Sequence, residues 1–425
     1  MIRIRLVRDN QPYLDLLCFN IESSRKACFD TREVGVLWWR LVFNAHSTRL
    51  SMKRDFFRSL LAITFGITAF TQLSQGDRPE VLQVLSDLDR PVAAAFGPGG
   101  DTLFVANRSR GTIGALRNMG SLTKFTRSDD GSYKMASKRF VVGLTAPSAI
   151  DFAPISYADD LPAGVLFLVS GTPLIQNEDE RMSKDVTKDF IGITVVDTTS
   201  GKILRKVNLS PAAPMKMAGE YSLISPNCLS FDKQGNLYIA DTGIGGNMFM
   251  FKKQVQSQPA FYRISSDGIR QMLQGEAPTG AQVMKVTSIP SDMRYQESDD
   301  SLYFVANHIV GATKGAVFKA GSSGFRGQFS VQTLVRELDP LSSLVLLPNG
   351  KQLLISSSGE LHIPRGKKAS REIRFKPEVR FSTPGRVDLL PLADGTALLA
   401  VPEETGGAGV GKGQRVKIVK LPAKF

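Results

Sequence analysis

The 425-residue sequence predicts an all-β fold, a six-bladed β-propeller with an N-terminal signal segment outside it. Three observations carry that expectation. A paired-strand unit recurs six times, turn dipeptides sit between the paired strands, and amphipathic helical windows are missing from the intervals. With 42% hydrophobic and 22% charged residues, the chain can bury a large core, which excludes disorder.

Met52-Lys53-Arg54-Asp55-Phe56-Phe57-Arg58 is basic, Ser59 to Phe70 is apolar, and Thr71 to Gly76 ends in small residues suited to signal peptidase. About a dozen apolar residues fall short of the roughly 20 that span a bilayer, so cleavage near Gly76 and export to the periplasm or medium are expected. The alternative is a membrane anchor formed by residues 59–73. A secretory signal normally opens a chain, so Met52 is expected to be the true start and residues 1–51 an extension. Both tryptophans, Trp38 and Trp39, and two of the three cysteines, Cys18 and Cys28, lie in that stretch.

The net charge of +13 raises nucleic acid or an anionic surface as a partner. Residues 1–76 hold eleven Lys/Arg and six Asp/Glu, leaving 42 against 34, or +8, spread over 77–425. The one concentrated run, Arg365-Gly366-Lys367-Lys368 through Arg371, Arg374 and Lys376, has no aromatic platform. It reads as a solvated face, and nucleic acid is not expected as a partner. Residues 77–425 hold one cysteine, Cys228, which excludes a disulfide scaffold and is expected to be a buried small hydrophobe.

The repeats follow in order. The first runs from Asp89 through Phe96 into Leu103-Phe104-Val105-Ala106-Asn107, and the second from Ala146 to Phe152 into Leu166-Phe167-Leu168-Val169-Ser170. The third runs from Pro226 to Asp232 into Leu237-Tyr238-Ile239-Ala240-Asp241, and the fourth from Pro290 to Tyr295 into Leu302 to Asn307. The fifth runs from Leu344 to Gly350 into Leu353 to Ser356, and the sixth from Val387 to Pro391 into Leu398 to Val401. The leading leucines are 63, 71, 65, 51 and 45 residues apart, the spacing of four-stranded blades. Gly99-Gly100, Gln234-Gly235, Asn349-Gly350 and Asp394-Gly395 supply the positive φ of tight hairpins.

Outer strands are expected over Gly192 to Asp197, Ile203 to Leu209, Ala260 to Ser265, Ile269 to Leu273 and Gly315 to Lys319. Val81 to Leu85 and Arg415 to Leu421 both alternate and are expected to share one blade and fasten the ring. Six such sheets bury their faces only against one another, so residues 77–425 are expected to form one domain.

The third copy, Pro226-Asn227-Cys228-Leu229-Ser230-Phe231-Asp232 through Asp241-Thr242-Gly243, resembles the repeat of NHL proteins and of the gluconolactonase/regucalcin superfamily. That resemblance implies calcium or another divalent cation in the central channel, held by a Glu, Asn residues and an Asp, and acting on a lactone carbonyl. Asn227 matches the Pro-Asn motif, and Asp292 lies one place beyond the Asp expected after Pro290. Asp89 is a substitute for the missing Glu, one residue out of place, while Ser148 stands where an Asn is expected and Arg90 opposes a cation. The metal set this implies is therefore Asn227, Asp292 and Asp89, with Asp292 and His308 as catalytic candidates. The bland alternatives are a turn-capping Asn227, an ordinary histidine, and loop-amide acceptors at Asn107, Asp241 and Asn307.

Long insertions at Gly171 to Phe190 and Thr242 to Gln258 suit recognition. The second carries Asn247, Met248, Phe249, Met250 and Phe251, an apolar cluster for a ligand at one mouth of the channel. The expected function is an exported, monomeric propeller that binds a small molecule, glycan or protein through these loops, touching a membrane only through an uncleaved signal. The alternative is a calcium-dependent lactone or ester hydrolase whose site is partly degenerate.

Overall fold

The computed structural model describes residues 79–108, 118–171, 190–219, 221–243, 258–307, 314–321, 331–364, 381–403 and 414–423, together with the backbone of 3–8, 15–21, 25–30 and 370–373. The chain divides into two units, Met1–Gln75 and Gly76–Phe425. In the first, β1 (Arg3–Arg8), β2 (Asp15–Ile21) and β3 (Arg25–Asp30) form an antiparallel three-stranded sheet. The signal-like segment 52–76 lies outside the described residues.

The second unit is a six-bladed β-propeller. The first blade is β5 (Pro91–Phe96), β6 (Thr102–Asn107), β7 (Gly120–Arg127) and β8 (Tyr133–Leu144). The second is β9 (Pro147–Phe152), β10 (Leu166–Ser170), β11 (Gly192–Val196) and β12 (Ile203–Asn208). The third is β13 (Pro226–Phe231), β14 (Leu237–Asp241), β15 (Ala260–Ile264) and β16 (Gln282–Lys285). The fourth is β17 (Ile289–Gln296), β18 (Ser301–Asn307), β19 (Gly315–Gly321) and β20 (Val331–Leu338). The fifth is β21 (Leu341–Leu346), β22 (Gln352–Ser356), β23 (Leu361–Pro364) and β24 (Ser370–Ile373). The sixth joins β25 (Asp388–Pro391), β26 (Ala397–Glu403) and β27 (Arg415–Leu421) to β4 (Glu80–Leu85) from the start of the unit.

Pairing of β4 with β27 closes the ring, as the two alternating terminal segments predict. The hairpin glycines adopt the expected backbone: Gly235 has φ 79° and Gly350 φ 77°. Each second strand is apolar through its middle because both of its faces are covered by neighbouring blades. Leu237, Ile239 and Ala240 are fully buried, as are Leu166, Phe167, Leu168 and Val169.

One expected strand is wrong. Residues Ile269 to Leu273 belong to a helix, α1 (Ser266–Leu273), and the outer strand of the third blade is β16 instead. Ser265 caps the helix by accepting from the Gly268 N–H, and Asp267 occupies the first turn. The buried residues Ile269, Met272 and Leu273 follow a spacing of three and four, and five residues are too few to separate that period from an alternating one.

The six innermost strands β5, β9, β13, β17, β21 and β25 touch in sequence, and β25 returns to β5, so they enclose the axis. One extra residue interrupts the pairing near the start of the innermost strand in blades one to five, namely Val92, Ser148, Asn227, Ser291 and Ser342. Such bulges turn a side chain out of the sheet, here at one end of the ring.

Candidate functional site

Polar side chains of the innermost strands tie neighbouring blades together around the axis. Ser148 Oγ donates to the Pro226 carbonyl (2.6 Å), and Asn227 Nδ2 donates to the Pro290 carbonyl. Ser343 Oγ donates to Asp292 Oδ2 (2.5 Å) and accepts from the Val387 N–H (3.1 Å). Asp388 Oδ2 accepts from the Phe96 N–H (2.8 Å). These bonds run between blades two and three, three and four, four and five, five and six, and six and one.

Inside the ring lies a cluster of five charged side chains from blades two, four and six. Asp292 is fully buried. Its Oδ1 accepts from the Met293 N–H (2.8 Å) and Arg294 Nη1 (2.9 Å) and forms an ion pair with Arg386 Nε (3.0 Å), and its Oδ2 also accepts from the Leu344 N–H (3.1 Å). Arg294 further donates to the Met293 and Val387 carbonyls. Burial works against its charge, yet Asp292, Asp388 and Asp151 outweigh that effect and hold it protonated above the ordinary arginine range. Arg386 reaches across the ring, donating to the Leu229 carbonyl on the opposite blade.

Asp151 and Asp388 complete the cluster. Both are half-buried and lie on innermost strands, which enclose the axis. Burial pushes the Asp151 carboxyl up to about 6; Arg386 pulls it back and Asp388 adds to the rise. Burial raises Asp388 as well, against the pull of Arg294 and of the Phe96 N–H.

The residues singled out from the sequence separate in space. Asn227 and Asp292 both lie on innermost strands. Asp89 instead has its N–H bonded to Asn107 Oδ1 (3.3 Å) and its carboxylate 3.9 Å from Arg139. Arg90 has φ 62°, its N–H donates to Gln414 Oε1 (2.6 Å), and its carbonyl accepts from the Arg108 N–H. Asp241 accepts from the N–H groups of Ile224 (2.6 Å), Ser225 (2.9 Å) and Gly243 (2.8 Å), and Asn307 from that of Leu341 (3.0 Å), both serving as acceptors for loop amides. Cys228 is buried, and burial pushes its thiol up to about 12. His308 and the cluster Asn247, Met248, Phe249, Met250 and Phe251 lie outside the described residues, as does most of both insertions.

The donor set does not fit the divalent cation that the sequence resemblance implies. Four hydrogen-bond donors already occupy both oxygens of Asp292, and a cation placed there would meet the positive charges of Arg294 and Arg386. Among the described residues, no three His, Cys, Asp or Glu side chains are grouped as a metal site requires.

Asp151, Arg294, Arg386 and Asp388 were not singled out by the sequence reading. A usable signal existed, since each is a charged residue within or immediately before a short apolar innermost strand, as in Ala149-Ile150-Asp151-Phe152 and Val387-Asp388-Leu389.

No protein-family description matches this chain, and no curated protein matches it. Among solved structures, the chain is similar to the α-L-arabinofuranosidase Arb93A from Fusarium graminearum in complex with an iminosugar inhibitor, with TM-score 0.51 and 12% identity over 81% of this chain and 98% of that one. The GH93 α-L-arabinofuranosidase of Fusarium graminearum with arabinobiose gives TM-score 0.51 and 13% identity over the same shares. A luciferin-regenerating enzyme gives TM-score 0.48 and 10% identity over 81% of this chain and 95% of that one. At such identities the likeness to the two arabinofuranosidase structures establishes the fold alone.

Proposed function

We propose that this chain is an exported propeller, of the NHL and gluconolactonase-like group, that binds a small polar molecule in its central channel. One observation supports a small molecule over a glycan chain or a protein: Asp151 and Asp388 keep accessible surface on the innermost strands, which enclose the axis. Only a compact ligand reaches groups so placed, and charged groups that line a cavity serve a polar one. The third-blade repeat supports the family reading, and the basic, apolar and small-residue succession over 52–76 supports export.

Thermal-shift measurement of the full chain against a panel of neutral, acidic and basic small molecules, in chelator, tests this reading. A saturable rise in Tm with one class is the expected result; a flat response to every class, with loop-binding proteins captured instead, would refute it. For export, N-terminal sequencing of the protein recovered outside the cytoplasm should begin at Asp77.

Hydrolysis is the second reading, and it too has one observation in its favour. A carboxyl pushed up to about 6 in the channel, as at Asp151, can hold and release a proton near neutral pH. The calcium-dependent form of this reading would place the ion at Asn227 and Asp292. Calorimetric titration of chelator-treated protein with calcium decides it: one-to-one heat would require the two arginines to leave Asp292, and silence is expected.

A further inference from the structure

We infer that Arg108, with Arg90 beside it, holds an oxyanion, the carboxylate or phosphate group of a small molecule, at one mouth of the channel on the first blade. This ligand class rests on the channel being the ligand site. Arg90 immediately precedes β5, the innermost strand of that blade, at the end of the ring where the bulged residues lie, and Arg108 immediately follows β6. The Arg108 N–H donates to the Arg90 carbonyl (2.9 Å), which carries the pairing of Pro91 with Asn107 one step further and sets the two residues side by side.

Arg108 is half-buried, and its nitrogens keep accessible surface. Its guanidinium makes no hydrogen bond or ion pair among the described residues, whereas Arg205 pairs with Asp160, and Arg294 and Arg386 with Asp292. Asp89, the carboxylate adjoining Arg90 in sequence, pairs with Arg139 instead (3.9 Å). Burial and the Arg90 charge both hold Arg108 below the ordinary arginine range, and no carboxylate among the described residues counters them as carboxylates do at Arg294. The backbone is a second observation. Arg90 has φ 62°, which a long side chain rarely adopts, and it is held there from both sides, its N–H donating to Gln414 Oε1 (2.6 Å) and its carbonyl accepting from Arg108. Strain of this kind persists where the surrounding structure over-determines it, and it collects at positions that hold ligands.

Charge narrows the class. The connection from β6 to β7 holds Arg108, Arg110 and Arg117 and no Asp or Glu, so the sequence there brings no carboxylate of its own. A cation is repelled by the two guanidinium groups, and a neutral hydroxyl accepts a hydrogen bond without offsetting their charge. An oxyanion does both, since two of its oxygens match the planar fork of a guanidinium, and partial burial strengthens the attraction over that at an open surface.

Calorimetric titration of the full chain in EDTA with inorganic phosphate and acetate, beside glycerol and tetramethylammonium, at one ionic strength set with sodium chloride, tests the inference. One of the two oxyanions should bind one-to-one, at least tenfold more tightly than glycerol or tetramethylammonium. Phosphate ahead of acetate assigns a phosphate group, and the reverse assigns a carboxylate. Arg108→Gln should weaken that binding at least tenfold while the melting transition stays cooperative. Arg90→Gly should weaken it while raising Tm, because glycine adopts a positive φ without strain. Arg205→Gln, which breaks an ion pair on the second blade, should leave it unchanged. Undiminished binding by either folded variant at Arg108 or Arg90, or an equal loss in Arg205→Gln, would overturn the inference. Silence of both oxyanions while a neutral or basic small molecule raises Tm would overturn it too and leave channel binding standing. Silence of every class would remove the channel reading together with the inference.

Discussion

Two clusters of buried charge lie in this propeller, and they are built in different ways. In the closing blade, Glu403 on β26 is fully buried and accepts from Arg415 Nε, Lys417 Nζ (3.0 Å) and the Ser382 N–H (2.7 Å). Arg415 is its register partner on β27 and Lys417 lies two residues along the same strand, so among the described residues one sheet holds this ion network. In the channel, three blades contribute Asp151, Asp292, Arg294, Arg386 and Asp388, and the cluster ends with Arg386 Nη1 and Asn227 Oδ1 lacking partners among the described residues. A network completed inside one sheet has a structural role and leaves nothing for a ligand. One assembled across the axis with groups left over is the place to look for binding.

The largest expected effect tests what the two clusters share. Asp292→Ala leaves two guanidinium groups buried without their carboxylate and should destabilise the protein by about 3–5 kcal/mol, read from denaturant midpoints. Glu403→Ala should lose about 3 kcal/mol by the same measurement. Its ligand-binding profile should be unchanged once folded, and a lost profile would abolish the distinction between the clusters.

The next effect should have opposite signs in the two regions. Asp151 ionises less readily folded than unfolded, so the native state binds more protons between about pH 4 and 6, and stability present below pH 4 is lost as pH rises through about 6. Asp151→Asn removes that loss and should raise stability at pH 7 by about 2 kcal/mol, with no gain at pH 4. Unfolding curves at the two pH values check it, and a destabilised Asp151→Asn protein at pH 7 would place Asp151 with Glu403 as structural. The smallest effect concerns Cys228, whose buried thiol, pushed up to about 12, should resist alkylation at pH 8 in native protein and react after unfolding.

Much of the architecture was legible. Repeated innermost strands, second strands with apolar middles and hairpin glycines are local signals, and each reports one strand and its two covered faces. The matching termini, Val81 to Leu85 and Arg415 to Leu421, even gave the closure of the ring, because two unpaired alternating segments need a partner. The helix Ser266–Leu273 escaped because its pattern is too short to show its period.

The candidate site was legible only where the resemblance to a known repeat pointed, at Asn227 and Asp292. By itself, the sequence determined the number of blades, the strand that fastens them and the burial of Cys228, all of which follow from hydrophobic period and repeat spacing. Only the tertiary structure decided that Arg386 reaches the Leu229 carbonyl 157 residues away, that Arg294 and Arg386 both pair with Asp292, and that Asp151 and Asp388 come near enough for their charges to act on each other. Those relations depend on the ring closing, which brings together side chains that no local pattern relates, and a charge acts on whatever lies near it in space rather than in sequence.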